Sequence, residues 1–252
     1  MDDLLIDRRE GWAKLTLNRP AARNALNTAL LQRLSETLRE LAGDAACRAV
    51  LLCGAEGNFA AGADIGEIEN KGSDEGAMDP RKDYWEAIRN FPKPVVAAVD
   101  GFGLGGGFEL ALMADIIVAG ETARFGLPES NLGLIPGAGG GQRLLALAGR
   151  ARATRMVLTG EIIDAATAEA WGIIAFRAEG SAVAEAEKLA EKLAKRAPLA
   201  LAAAKRALVS GDEAASALTL ERALFEELLD SADKKEGIAA FREKRKPEFK
   251  GQ

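Results

Sequence analysis

The residues whose types and spacing could do chemistry lie together between Asp100 and Gly141, in DGFGLGGGFELALMADIIVAGETARFGLPESNLGLIPGAGGG. Gly105-Gly106-Gly107 precedes Glu109, and Glu129 precedes Pro136-Gly137-Ala138-Gly139-Gly140. An apolar run, Leu110 to Ala119, joins the two turns into one unit. Glycines let a backbone approach a ligand where any Cβ would block it. A glycine turn that opens a helix aims free N–H groups at an anion, and a carboxyl beside such donors can act as acid or base. The expectation is a site with backbone donors for a developing oxyanion and two glutamates for proton traffic. Phe108, Leu110, Ala111, Leu112 and Met113 surround Glu109 with apolar neighbours, so its carboxyl is expected to be partly buried. Taken alone, each glutamate also reads as a surface or capping charge. Their order along the chain is what points to a site.

Composition removes other chemistries. The 252 residues contain no histidine, which excludes Ser-His-Asp and Cys-His catalysis and the HExxH zinc proteases. Acid–base work falls to Glu, Asp, Lys, Cys or the single tyrosine, Tyr84. A net charge of −5 speaks against nucleic acid as a partner. Cys47 and Cys53 form no disulfide framework or zinc pattern and read as buried small residues. No apolar segment reaches the ~20 residues of a membrane helix. The start, MDDLLIDRRE, is acidic and carries no leader-like run, so a cytoplasmic location and no membrane are expected.

The elements that must position the glutamates follow from periodicity. Residues 3–7 and 13–17 read as strands around a turn at Glu10-Gly11. Leucines 26, 30, 31, 34, 38 and 41 give an amphipathic helix, capped by Asn27 and stopped by Gly43. Strands are expected at 49–53, 95–99, 116–119 and near 173–177, and helices at 83–90, 105–114, 139–148, 151–158 and 165–171. Residues 71–82, rich in Gly, Asp and Pro, read as a mobile entrance loop. Alternating strands and helices indicate α/β crossovers. Helices at 182–196, 199–209, 213–231 and 234–244 form a separate layer. The chain thus divides into a core, 1–180, carrying the site, and a helical region, 181–252, that docks on a neighbour.

Gly101-Phe102-Gly103-Leu104-Gly105-Gly106 also satisfies G-x-G-x-x-G after a strand, with Glu121 about twenty residues on, as a dinucleotide fingerprint requires. About ninety residues precede it, however, and it leaves Gly62, Glu129 and Gly137 unexplained.

The motifs in combination resemble those of the enoyl-CoA hydratase/isomerase (crotonase) superfamily over essentially the whole chain. They are Leu17-Asn18-Arg19-Pro20 with Asn24-Ala25-Leu26; Phe59-Ala60-Ala61-Gly62-Ala63-Asp64-Ile65; Lys93-Pro94 with the strand after it; Gly105-Gly106-Gly107-Phe108-Glu109-Leu110; Phe125-Gly126-Leu127-Pro128-Glu129; Ile135-Pro136-Gly137-Ala138-Gly139-Gly140; and Leu158-Thr159-Gly160. Two further stretches, LTLNRPAARNALNTALL and FREKRKPEFKG, carry a finer likeness to the family's phenylacetate-pathway branch. The resemblance implies a spiral of ββα units followed by a helical trimerisation region. It implies an oxyanion hole made by the N–H groups of Ala63 and Gly106, catalytic roles for Glu109 and Glu129, and a water-positioning N–H at Gly137. Retention of both glutamates implies hydration of a trans-2-enoyl-CoA. An isomerase shifting the double bond and a non-catalytic CoA-binding assembly subunit are the other readings. No cofactor is implied, since coenzyme A enters as part of the substrate. Arg23, Ala25, Ala61, Ala63, Asp64, Ile65, Gly106 and Lys244 are the implied substrate and CoA contacts. The partners implied are an acyl-CoA, a homotrimer or homohexamer, and another enzyme of the same pathway.

Overall fold

The computed structural model describes residues 2–68, 78–209, 232–233, 236, 240 and 243–252. Two strands open the chain, β1 (Leu4–Arg9) and β2 (Trp12–Leu17), paired antiparallel. After β2 come α1 (Thr28–Gly43), β3 (Ala49–Gly54), α2 (Arg81–Arg89) and β4 (Val95–Val99). Then follow β5 (Phe102–Leu104), α3 (Gly106–Leu112), β6 (Ile116–Ala119) and β7 (Arg124–Gly126). The remainder is α4 (Gly140–Ala148), α5 (Arg150–Thr159), β8 (Ile162–Asp164), α6 (Ala165–Ala170), β9 (Phe176–Arg177), α7 (Ala182–Ala194) and α8 (Pro198–Val209).

The strands form a six-stranded sheet in the order β1-β2-β3-β4-β6-β9 and a three-stranded sheet in the order β5-β7-β8. Beyond the first hairpin the large sheet is parallel. Successive passes repeat one path: β4 in the large sheet, β5 in the small one, then α3; next β6, β7 and α4. The pass before them starts from β3 and touches the small sheet through a single bridge, Ala60 with Gly103. This is the expected spiral of ββα units. Sheet order advances without reversing, so the large sheet has no switch point of the dinucleotide-binding kind. The G-x-G-x-x-G stretch is instead the short strand β5 and the start of α3.

Binary patterning explains the layers. Along β2, Ala13, Leu15 and Leu17 enter a core with Val50, Leu52, Ala97, Val99 and the leucines of α1. Asn27 caps α1, its Oδ1 accepting the Leu30 N–H at 2.8 Å. The opposite face of the sheet carries Trp12, Leu51, Val96 and Val118 and is covered by Ala182, Ala186, Ala190 and Ala194 of α7. That stripe of alanines, one per turn, lets α7 lie close to the strands. The sequence places the helix 182–196 in a separate layer, whereas α7 packs against the underside of the sheet. Asp100 fixes its start, accepting from the Ser181 hydroxyl at 2.7 Å and the Ala182 N–H at 3.0 Å.

Cys47 and Cys53 are buried and free. No helix among the described residues is long and apolar enough to cross a membrane. Residues 71–77 of the expected entrance loop, and nearly all of the helices expected at 213–231 and 234–244, lie outside the described residues.

Candidate active site

Three segments converge at the start of α3. The first is 61–65, held beside 23–26 by backbone bonds: Ala61 N–H to Arg23 O (3.0 Å), Leu26 N–H to Gly62 O (2.8 Å) and Asp64 N–H to Leu26 O (3.0 Å). Arg19 clamps the pair, donating to Ala25 O at 2.6 Å and to the Asp64 carboxylate at 3.0 Å. Arg23 and Asn24 both take left-handed backbone, and the buried Asn24 side chain ties the bend to Ala55 O and Asn58 O. Arg23, Ala25, Ala61, Ala63, Asp64 and Ile65 are therefore neighbours. The Arg23 guanidinium lies 5.3 Å from the centroid of the Phe102 ring, and Ile65 is exposed.

The second segment is the turn before α3. Gly105 adopts φ +50, which an L side chain rarely takes. Gly107 sits so close to the Ala60 carbonyl that any Cβ would collide with it. Gly106 stands against Ala63, whose N lies 3.4 Å from the position a Gly106 Cβ would take. The N–H groups of Ala63 and Gly106 donate to no acceptor among the described residues. Two open donors thus share one small space. Helix α3 is buried along its full length and carries Glu109, 4% exposed.

The third segment runs from β7 to α4. Pro128 opens a 3₁₀ turn, Pro128–Leu132, which presents Glu129. Its Oε1 lies 3.3 Å from the Cβ position of Gly105, and its Oε2 is buried with no hydrogen-bond partner among the described residues. Burial first, then the nearby charge of Glu109, push the Glu129 carboxyl above the usual carboxylate range; a backbone hydrogen bond opposes them. A carboxyl that holds its proton more tightly than usual, with an orphaned buried oxygen, is suited to act as an acid. Glu109 is held differently. Its Oε1 accepts from Ala138 N–H at 2.7 Å and Gly140 N–H at 2.9 Å, at the opening of α4. Two backbone donors at the helix N-terminus thus fix that oxygen and orient the carboxyl.

The structure brings Glu109, Glu129, Ala63 and Gly106 together. It places Gly137 beside them but exposed, while the amides that reach Glu109 are those of Ala138 and Gly140. Sequence reasoning missed both, and missed Arg19 and Asn24. The glycine pattern marks the turn, but its phase, which decides the inward N–H groups, is not written in composition. Asn24 carries a readable signal, since Asn tolerates the left-handed region. Lys244 stands apart from the 23–26 and 61–65 pair, on the C-terminal segment whose Phe249 carbonyl accepts from Arg48. Its neighbour Arg245, also exposed, is bound to Glu236 at 2.6 and 2.9 Å and to Glu243 at 2.6 Å, while Lys244 and Lys246 on either side are exposed.

Comparison with known proteins finds relatives along the whole chain. The 2,3-dehydroadipyl-CoA hydratase of Escherichia coli (strain K12) is 46% identical over 254 residues, covering 100% of both chains. The mitochondrial enoyl-CoA hydratase of Pongo abelii is 42% identical, with 94% of this chain and 83% of that protein covered. A crystal structure described as enoyl-CoA hydratase subunit I from Geobacillus kaustophilus HTA426 superposes with a TM-score of 0.95 at 37% identity, covering 100% of this chain and 99% of that one. A family model for enoyl-CoA hydratase/isomerase matches residues 7–252. With the spiral, the paired glycine turns and the two glutamates in place, the chain belongs to the enoyl-CoA hydratase/isomerase family.

Proposed function

We propose that this protein adds water across the double bond of a trans-2-enoyl-CoA, giving a 3-hydroxyacyl-CoA, and runs the reverse dehydration. One observation carries the reading: two carboxyl groups held in different ways flank the turn that offers the open N–H of Gly106. The thioester oxygen sits between the N–H groups of Ala63 and Gly106, which stabilise the charge that develops as the double bond polarises. Glu109, as base, takes a proton from water as the water oxygen bonds to the β-carbon. Glu129, as acid, gives a proton to the α-carbon. Water supplies every added atom, and the two glutamates exchange one proton by the end of the cycle. The division of labour follows from two different environments, one a pair of backbone amides and the other a buried oxygen without a partner among the described residues. No cofactor enters, and coenzyme A arrives with the substrate.

The CoA moiety follows the 23–25 and 61–65 segments, largely along their backbone, because the Asp64 carboxylate is occupied by Arg19. Gly137 supports the bound water, and Lys244 meets a CoA phosphate. We extend the proposal to 2,3-dehydroadipyl-CoA as substrate, in phenylacetate degradation, on the strength of the full-length likeness to the Escherichia coli protein. A homotrimer or homohexamer built through 181–252 belongs to the same reading.

Loss of the enoyl-thioester absorbance of crotonyl-CoA and of 2,3-dehydroadipyl-CoA tests the proposal. Wild type is expected to turn over both, with the dicarboxylic substrate preferred. Glu109→Gln and Glu129→Gln are each expected to lose about 10²–10⁴-fold in kcat. A wild-type protein that binds CoA but hydrates neither thioester overturns the reading.

A further inference from the structure

The turn that holds Glu109 has little of its own to hold it. Residues 131–135 are exposed, with Ile135 at 80%, and nothing lies within 4 Å of the position a Gly137 Cβ would take. Yet two amides in this turn must point at one carboxylate oxygen. The support comes from one residue in the first turn of α4. Arg143 donates its backbone N–H to Gly139 O at 3.2 Å and its Nη1 to Ala138 O at 2.9 Å. Two successive carbonyls are thereby fixed by a single side chain and its own amide. Nη1 also fills the space beside Gly139, lying 2.7 Å from where a Cβ there would be, and Gly139 takes φ +88. The glycine is required both for its backbone and to admit the guanidinium.

The charge of Arg143 needs explaining as well. The side chain is half-buried and makes no ion pair among the described residues. A cation withdrawn from water without a partner is costly. Desolvation and the nearby Arg89 both weaken its hold on its proton, and the carboxylate of Glu109 is the group that counters them. The cation therefore faces the anion across the turn it braces.

We infer that Arg143 is a positioning residue for the hydration reaction: it locks the Ala138–Gly139 peptides so that the Ala138 and Gly140 amides hold one oxygen of Glu109 and leave the other for the water. It touches neither substrate nor reacting atoms. The inference rests on the hydratase reading for its kinetic consequence, though not for its structural one.

Crotonyl-CoA hydration and amide hydrogen exchange over residues 136–144 test it, in the full-length protein, for Arg143→Met, Arg143→Gln and Arg143→Lys. Displacing a catalytic group by about 1 Å costs roughly 10²-fold, so Arg143→Met is expected to lose about that factor in kcat with KM within about threefold. Arg143→Lys keeps the charge and one donor and is expected to recover about tenfold of the loss. The Ala138 and Gly140 amides should exchange about tenfold faster in Arg143→Met, with exchange in β2–β4 unchanged, as expected of a local opening. Should Arg143→Met fail to fold, Arg143→Gln against Arg143→Lys carries the same contrast. A rise in KM at constant kcat makes Arg143 a substrate contact and overturns the inference, as does unaltered exchange in the turn. If wild type hydrates no enoyl-CoA, the functional reading falls, and the exchange measurement alone decides Arg143.

Discussion

The turns at Gly105–Gly107 and at Pro136–Gly140 are similar in composition but use their amides in opposite ways. The first is buried, pressed against Ala60 and Ala63, and leaves the N–H of Gly106 open. The second lies at the surface and commits the N–H groups of Ala138 and Gly140 to the protein's own Glu109. One turn keeps a donor open. The other is a bracket for a carboxyl the protein already has. The same residue type thus leaves an amide free in one place and orients a side chain in the other, and packing around each turn decides which.

Removing an amide from the first turn is the strongest way to break this contrast. Gly106 is the first residue of α3, a position that accepts proline. Gly106→Pro is expected to keep the fold, read by circular dichroism, and to lose about 10²–10³-fold in kcat with crotonyl-CoA. Survival of activity would remove Gly106 from the oxyanion site. In the second turn the expected effect is smaller and acts through Glu109. A Cβ at Gly140 would stand 2.6 Å from Glu109 Cγ and 3.1 Å from its Oε1. Gly140→Ala is therefore expected to cost about 10–100-fold in kcat, while Gly137→Ala, with open space around it, stays within about twofold of wild type. Equal losses at the two positions would mean that the turn acts as a whole rather than through Ala138 and Gly140.

The smallest effect concerns stability. Glu129 holds its proton more tightly in the fold than in the unfolded chain, mainly through burial. A carboxyl with a raised native pKa contributes stability at low pH and loses it as pH rises through that value. Glu129→Gln is thus expected to melt about 1–3 °C above wild type at pH 9 and level with it at pH 4, by differential scanning fluorimetry; the modest size reflects a carboxyl that is only partly withdrawn from water. An equal gain at both pH values would mean that the Gln packs better and that the carboxyl's charge has no part in it.

Much of this architecture was legible in the residues. The leucine periodicity and Asn27 mark α1 to within two residues, and the apolar run 95–99 coincides with β4. Glu109 and Glu129 stood out because glycine turns beside carboxyls are rare combinations. What could not be read was the second sheet. Strands β5, β7 and β8 have three residues each, too few for an alternation to register. Gly103 in the middle of β5 reads as turn rather than strand, although its place in the sheet leaves a Cβ only 3.2 Å from Val99. The role of α7 was hidden for a related reason. An alanine stripe between Glu and Lys reads as an exposed, charge-paired helix, and only the apolar underside of the sheet reveals that small residues are there for close approach. At the site, the sequence singled out Glu109 and Glu129 but not what surrounds them, because the Ala138 amide and the Arg143 brace depend on the path of the backbone, which composition does not write.

Asp100 gives the molecule an order of events. It lies between β4 and β5, ahead of the turn that carries Gly106, yet its carboxylate is satisfied by Ser181, 81 residues further on. At a synthesis rate of 5–20 residues per second, that partner emerges about 4–16 s later. A nascent chain therefore carries all the residues of β1–β4 well before Asp100 gains this partner. The contact that seats the start of α7 against the sheet is thus made only after both glutamates have been synthesised.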